Sequence, residues 1–95
     1  MASSDPEVRA LRKSVDEVDR AVVRLLAKRF ALALRLAPLK RRARAPKRER
    51  AVLAHVARCA REYGMDAAAI RSVYRKVMAE SRAYQRSRRR RPNTA

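Results

Sequence analysis

The sequence is short of the residue types that build most metal and nucleotide sites. It has one Gly and one His, and aromatic residues make up 4% of the chain. Gly64 alone cannot form a glycine-rich loop that cradles phosphates. His55 and Cys59, four residues apart, supply half of the ligands that a tetrahedral zinc site needs, so no metal site is predicted. With one Cys no intrachain disulfide is possible, and nothing indicates secretion.

Long apolar runs are also missing. The first residues, MASSDPEVR, contain none, so the sequence predicts neither a signal peptide nor a membrane span there. With no disulfide either, we expect a cytoplasmic protein.

Acidic residues are scarce, with 9 Asp and Glu against 26 Lys and Arg and a net charge of +17. This excess attracts polyanions, so a nucleic acid is one candidate partner. Base stacking would need aromatics among the basic residues, and those are missing. Nucleic acid is therefore not the favoured partner, and a basic helical dimer that binds it stays open as the alternative of another class.

What the sequence does contain is apolar residues at helical spacing, without period-two alternation, which predicts an all-α fold. Asp5 and Pro6 start a first helix that should run to about Arg42, bent at Pro38. Such a helix would be about 55 Å long, whereas a compact monomer of this size is roughly 30 Å across. The apolar stripe of this helix is longer than the rest of one chain can cover, which predicts an intertwined homodimer. It consists of Leu11, Val15, Val18, Val22, Leu25, Leu32 and Leu36.

Two shorter helices complete the predicted fold. Pro46 opens the second, which ends at the C-cap Gly64, and Asp66 caps the third. The apolar stripe of the second helix is Leu53, Val56, Ala60 and Tyr63. That of the third is Ile70, Tyr74, Val77 and Tyr84.

Polar residues interrupt or extend these stripes at five positions, Arg29, Lys40, Glu49, Ser81 and Gln85. A charge left unpaired in a core costs several kcal/mol, so such residues need partners or a ligand. They could instead fix register or lie at solvated stripe ends. Their number favours a polar pocket in the bundle. Guanidinium groups bind carboxylates bidentately, so a small dianion would suit a pocket that acts by positioning and electrostatics.

These positions resemble those of the all-helical, AroQ-type chorismate mutases, over residues 7 to 86. The family fold is an interlocked dimer of three-helix chains, so we expect a chorismate mutase domain over 1–86 and a basic, disordered tail over 87–95. The residues that carry the resemblance are Leu11-Arg12, Val15-Asp16, Val18-Asp19, Leu25-Leu26, Arg29, Lys40, Arg48-Glu49, Val52-Leu53, Ser81 and Gln85.

The resemblance implies an isomerase of the shikimate pathway that rearranges chorismate to prephenate for aromatic amino acid biosynthesis, without a cofactor. Arg29 would hold one carboxylate of the substrate, and Arg12 of the partner chain the other. Lys40 would contact a carboxylate and the ether oxygen, to which Gln85 would also donate. Such a site selects the folded conformer and stabilises charge on the ether oxygen.

The resemblance assigns the remaining residues to the rest of the substrate. Ser81 would assist at the ring carboxylate, Glu49 would accept from the C4 hydroxyl, and Arg48 would support the carboxylate side. The sequence departs from the family pattern in a shorter loop before Arg48 and in Ala45, where an acidic residue is usual. A 4-amino-4-deoxychorismate mutase, an isochorismate-pyruvate lyase and an enzyme that needs an activating partner protein therefore stay open.

Overall fold

The computed structural model describes residues 5–39 and 45–90, and its regular elements there are α-helices. Helix α1 spans Pro6–Leu36, α2 spans Ala45–Glu62 and α3 spans Ala67–Arg90. The prediction of one long and two shorter helices is therefore confirmed. The chain divides into two compact units, Met1–Leu32 and Ala33–Ala95. None of the helices in the described ranges is long and apolar enough to cross a membrane.

Helix α1 begins with the predicted cap. Asp5 Oδ1 accepts hydrogen bonds from the backbone N–H groups of Glu7 at 2.8 Å and Val8 at 3.3 Å. The carboxylate thereby satisfies two N–H groups that have no partner within the helix, and its charge suits the positive end of the helix dipole.

The end of α1 corrects the sequence prediction. The helix stops at Leu36, and residues 37–39 form a turn closed by a 3.0 Å hydrogen bond from the Leu39 N–H to the Leu36 carbonyl. The predicted continuation to about Arg42 through a bend is wrong at this turn. Pro38 has no N–H to donate, and its ring disfavours helical geometry at the residue before it. Residues 40–44 lie outside the described residues.

The turn between α2 and α3 has the predicted glycine at its centre. Gly64 has a φ of 70°, in the left-handed region that only glycine adopts without strain. The Gly64 N–H donates to the Arg61 carbonyl at 3.1 Å, and the Met65 N–H donates to the Ala60 carbonyl at 2.8 Å. This pair of bonds is a Schellman motif, which closes the end of α2 and directs the chain back.

Helix α3 starts at the predicted cap and ends later than expected. Asp66 Oδ1 accepts from the Ala68 N–H at 3.3 Å, as an N-cap does. The helix continues to Arg90, so it extends four residues into the segment that was expected to be a disordered tail from residue 87. Residues 91–95 lie outside the described residues.

A small core holds α2 and α3 together as a helical hairpin, residues 45–90. Half-buried Leu53, Ile70 and Tyr74 pack against it, as their predicted stripes require. Tyr63 is wrong as a stripe residue, because it follows the last residue of α2 and is 82% exposed. The buried residues are Val52, Val56, Ala57 and Ala60 of α2 with Met78 and Ser81 of α3.

Helix α1 has the predicted apolar stripe but no buried residue. Leu11 and Val18 are each 60% exposed, and Leu25 is 54% exposed. A continuous apolar face on a long helix is typical of a helix that packs against another element.

Candidate active site

Three of the predicted site residues lie on the helical hairpin. Glu49 lies near the start of α2, and Ser81 and Gln85 lie on successive turns of α3. Arg82, which the sequence interpretation did not include, contacts Glu49 from α3. These four residues, the hairpin cluster, supply a carboxylate, a hydroxyl, an amide and a guanidinium group.

Ser81 and Gln85 form the inner part of the hairpin cluster. Ser81 is 4% exposed, which makes it the buried polar residue beside the core. The half-buried Gln85 donates from Nε2 to Ser81 Oγ at 3.3 Å, a contact that the one-turn spacing on α3 allows. A side-chain amide has two N–H donors, so this bond uses one of them and the amide can still donate to a ligand.

Glu49 and Arg82 form the outer part of the hairpin cluster. Arg82 Nη1 donates to Glu49 Oε2 across the two helices. The side chains are 46% exposed for Arg82 and 33% for Glu49, so solvent and ligands reach the pair. Exposed ion pairs contribute at most about 1 kcal/mol to stability, so the contact adds little to the stability of the hairpin.

A sequence signal for Arg82 was present. Met78, Arg82 and Gln85 follow one another at steps of four and three, the spacing of one helix face. A stripe drawn through Val77 and Ser81 instead left Arg82 out. A charged residue between two inner-face residues should have been read as part of the site.

The structure gives less information on Arg48 and Lys40. Arg48 is exposed on α2, next to Glu49 in the chain. Lys40, predicted to contact the ether oxygen, lies outside the described residues, so its role stays a prediction.

The two remaining predicted residues lie on α1. Arg12 is exposed and Arg29 is half-buried. Seventeen residues of helix separate them, which is about 25 Å along the axis. Each arginine side chain reaches about 6–7 Å, an extended chain of roughly six bonds. One copy of α1 therefore cannot place both guanidinium groups on one small dianion.

Other side-chain pairs also lie on the hairpin. Cys59 Sγ and His55 Nε2 of α2 are 3.8 Å apart. On α3, Lys76 Nζ lies 2.9 Å from Glu80 Oε2, and its hydrogen bond and charge lower the pKa of the Glu80 carboxyl below the usual range. Among the described residues, no three His, Cys, Asp or Glu side chains lie close enough together to hold a metal ion.

Over the described residues the chain is all-helical, and no group of side chains there could hold a metal ion. The profile of the chorismate mutase type II family matches residues 11–86 of the chain. The chain therefore belongs to this family of isomerases, as the resemblance predicted, and its activity is that of a chorismate mutase in the shikimate pathway. Neither a curated protein nor a solved structure matches the chain.

Proposed function

We propose that the chain catalyses the rearrangement of chorismate to prephenate in the cytoplasm, at a site that two copies of the chain share. The observation that carries the proposal is the hairpin cluster. The spacing predicts Glu49, Ser81 and Gln85 as site residues. Gln85 contacts Ser81 on α3, and Glu49 contacts α3 through Arg82. An amide, a hydroxyl and a carboxylate in one cluster suit the oxygen-rich ring of the substrate.

Helix α1 supports the shared site and the intertwined homodimer. Its stripe is exposed in the single chain, with Leu11 at 60% and Leu25 at 54%. A second copy would cover this stripe and would also bring a second Arg12. Because Arg12 and Arg29 of one chain are about 25 Å apart, a site that uses both needs one from each protomer.

The reaction requires these side chains to bind and orient the substrate and to donate hydrogen bonds. In the substrate one carbon–oxygen bond breaks while a carbon–carbon bond forms, so no proton or electron leaves the molecule and no cofactor is needed. Arg29 and the partner's Arg12 would hold the two carboxylates and select the folded conformer. Lys40 and Gln85 would donate to the ether oxygen, on which negative charge grows in the transition state.

The other residues would fix the ring. Ser81 would assist at the ring carboxylate, Arg48 would support the carboxylate side, and Glu49 would accept from the C4 hydroxyl. An accepting carboxylate at C4 would favour chorismate over analogues that carry the hydroxyl elsewhere, because those analogues have no hydroxyl at C4 to donate to it.

The test of this site is the loss of activity in Arg29→Ala and Gln85→Ala. Each variant should lose at least about a hundredfold in kcat/KM for chorismate, or about 3 kcal/mol of transition-state stabilisation. Prephenate formation and the decrease in chorismate absorbance measure it. Arg20→Ala is the matched control, because Arg20 lies on the opposite face of α1 from the stripe, and it should stay within about twofold of wild type.

Near-normal turnover in Gln85→Ala or Arg29→Ala would contradict the site.

A side-by-side assay of chorismate, isochorismate and 4-amino-4-deoxychorismate identifies the preferred substrate. If the wild-type protein turned over none of them and bound duplex DNA with a steep salt dependence, the nucleic-acid alternative would hold instead.

A further inference from the structure

The contact between Arg82 and Glu49 has no role in the chemistry described above. It joins the two helices of the hairpin beside Ser81, the buried polar residue of α3. Both partners stay partly exposed, so the contact is not part of the hydrophobic core. A cation held against the carboxylate that is proposed to receive the C4 hydroxyl affects what that carboxylate can bind.

We propose that Arg82 is a positioning and specificity-determining residue, which orients the Glu49 carboxylate and selects a neutral hydroxyl over an ammonium group at C4 of the substrate. The inference rests on the proposed function, because it takes Glu49 as the C4 contact.

The first part of the argument is geometric. A glutamate has three rotatable side-chain bonds, and an exposed one samples many rotamers. Donation from Arg82 Nη1 to Oε2 ties one carboxylate oxygen of Glu49 to α3, and the other oxygen keeps its lone pairs for a ligand. The carboxylate is therefore oriented before the substrate arrives, which reduces the entropy cost of binding.

The second part of the argument is electrostatic. A lone glutamate would attract a 4-amino group, since aliphatic amines are protonated near neutral pH. The Arg82 guanidinium places a fixed positive charge next to the incoming group, and its repulsion of an ammonium group opposes the attraction by Glu49. Like charges a few ångströms apart near a protein surface repel one another, and partial exposure weakens this repulsion. A hydroxyl carries no charge, so it can donate to Glu49 without this penalty.

The experiment measures kcat and KM for chorismate and for 4-amino-4-deoxychorismate in wild type, Arg82→Gln and Arg82→Lys. In Arg82→Gln the preference for chorismate, as a ratio of kcat/KM values, should fall about tenfold, because the repulsion of the ammonium is gone. Arg82→Lys keeps the positive charge and should keep the ratio within about twofold. The matched control is Lys76→Gln, which removes another cation of α3, paired with Glu80, and should leave the ratio unchanged.

The ratio separates this role from a purely structural one. If Arg82 only held the hairpin together, or bound a substrate carboxylate, Arg82→Gln would weaken both substrates equally, and an unchanged ratio would overturn the proposal. If wild type did not turn over chorismate at all, the proposed function would fail first. An active wild type with an unchanged ratio in Arg82→Gln contradicts the role of Arg82 alone.

A measurement on the wild-type protein covers the case in which the Arg82 variants do not fold. Raising the pH removes the proton from the amine of 4-amino-4-deoxychorismate. Its kcat/KM relative to that of chorismate should then rise, since only the ammonium form is repelled. A relative kcat/KM that stayed flat would show that the ammonium form is not repelled, and one that fell would show that it is attracted. Either result would overturn the proposal.

Discussion

Helix α1 and the helical hairpin use the same amphipathic pattern with different results. The hairpin buries its apolar face, and Val56 and Met78 are each 6% exposed. Helix α1 has 31 residues and none of them is buried. The amphipathic pattern of a helix therefore identifies the face that is buried in the assembly. It does not identify the element that packs against that face.

Local interactions at the turn explain why the hairpin forms a core by itself. A short turn connects α2 to α3, Gly64 at its centre has a left-handed φ of 70°, and Asp66 caps α3. Short connections bring neighbouring helices together at little cost in loop entropy. Helix α1, by contrast, is about 46 Å long, so covering it takes a partner of similar length.

The largest expected effect of a substitution is on the α1 stripe. Leu25→Glu places a charge in the proposed dimer interface, where burial without a partner is costly, so we expect monomers and a loss of at least about a hundredfold in mutase activity. Sedimentation and the chorismate assay measure the two effects. Ala27→Glu introduces the same charge on the opposite face and should leave dimer and activity intact.

A Leu25→Glu protein that stayed dimeric and active would show that the dimer interface does not lie on the apolar stripe of α1. The difference in burial between α1 and the hairpin would then need another explanation, and the proposal of a site shared by two chains would be contradicted.

A smaller effect is expected in the hairpin core. Met78→Ala removes a buried side chain and should lower the free energy of unfolding by about 2–3 kcal/mol, at the low end for such truncations because the core is small. Val73→Ala is the control on the same helix, since Val73 is 57% exposed, and it should cost at most about 0.5 kcal/mol. Urea titrations measure both, and equal losses would show that Met78 is not a core residue.

Much of the fold could be predicted because its signals are local. The caps Asp5 and Asp66 and the glycine of the turn each act through hydrogen bonds within a few residues, and the structure has all three. The end of α1 was mispredicted because the helix was extended past Leu36, the last apolar residue of the stripe, to about Arg42 with a bend at Pro38. The backbone effect of the proline outweighs the pattern there.

The candidate site was predictable to a lesser degree. Ser81 and Gln85 could be found because a polar residue on an inner face is visible in the spacing. Spacing also puts Arg82 on the helix face of Met78 and Gln85, but its contact with Glu49 could not be predicted, because that depends on how the two helices pack. On α1, spacing marks Arg29, while Arg12 and its assignment to the partner chain come from the family resemblance.

The measurement that tests the shared site most directly is subunit complementation. Arg12→Ala and Arg29→Ala should each be inactive as pure dimers. After mixing, unfolding and refolding together, half of the dimers pair one variant with the other, and one of their two sites has both arginines. The mixture should then recover about a quarter of wild-type activity. No recovery, or full activity of either variant alone, would contradict a site built from two chains.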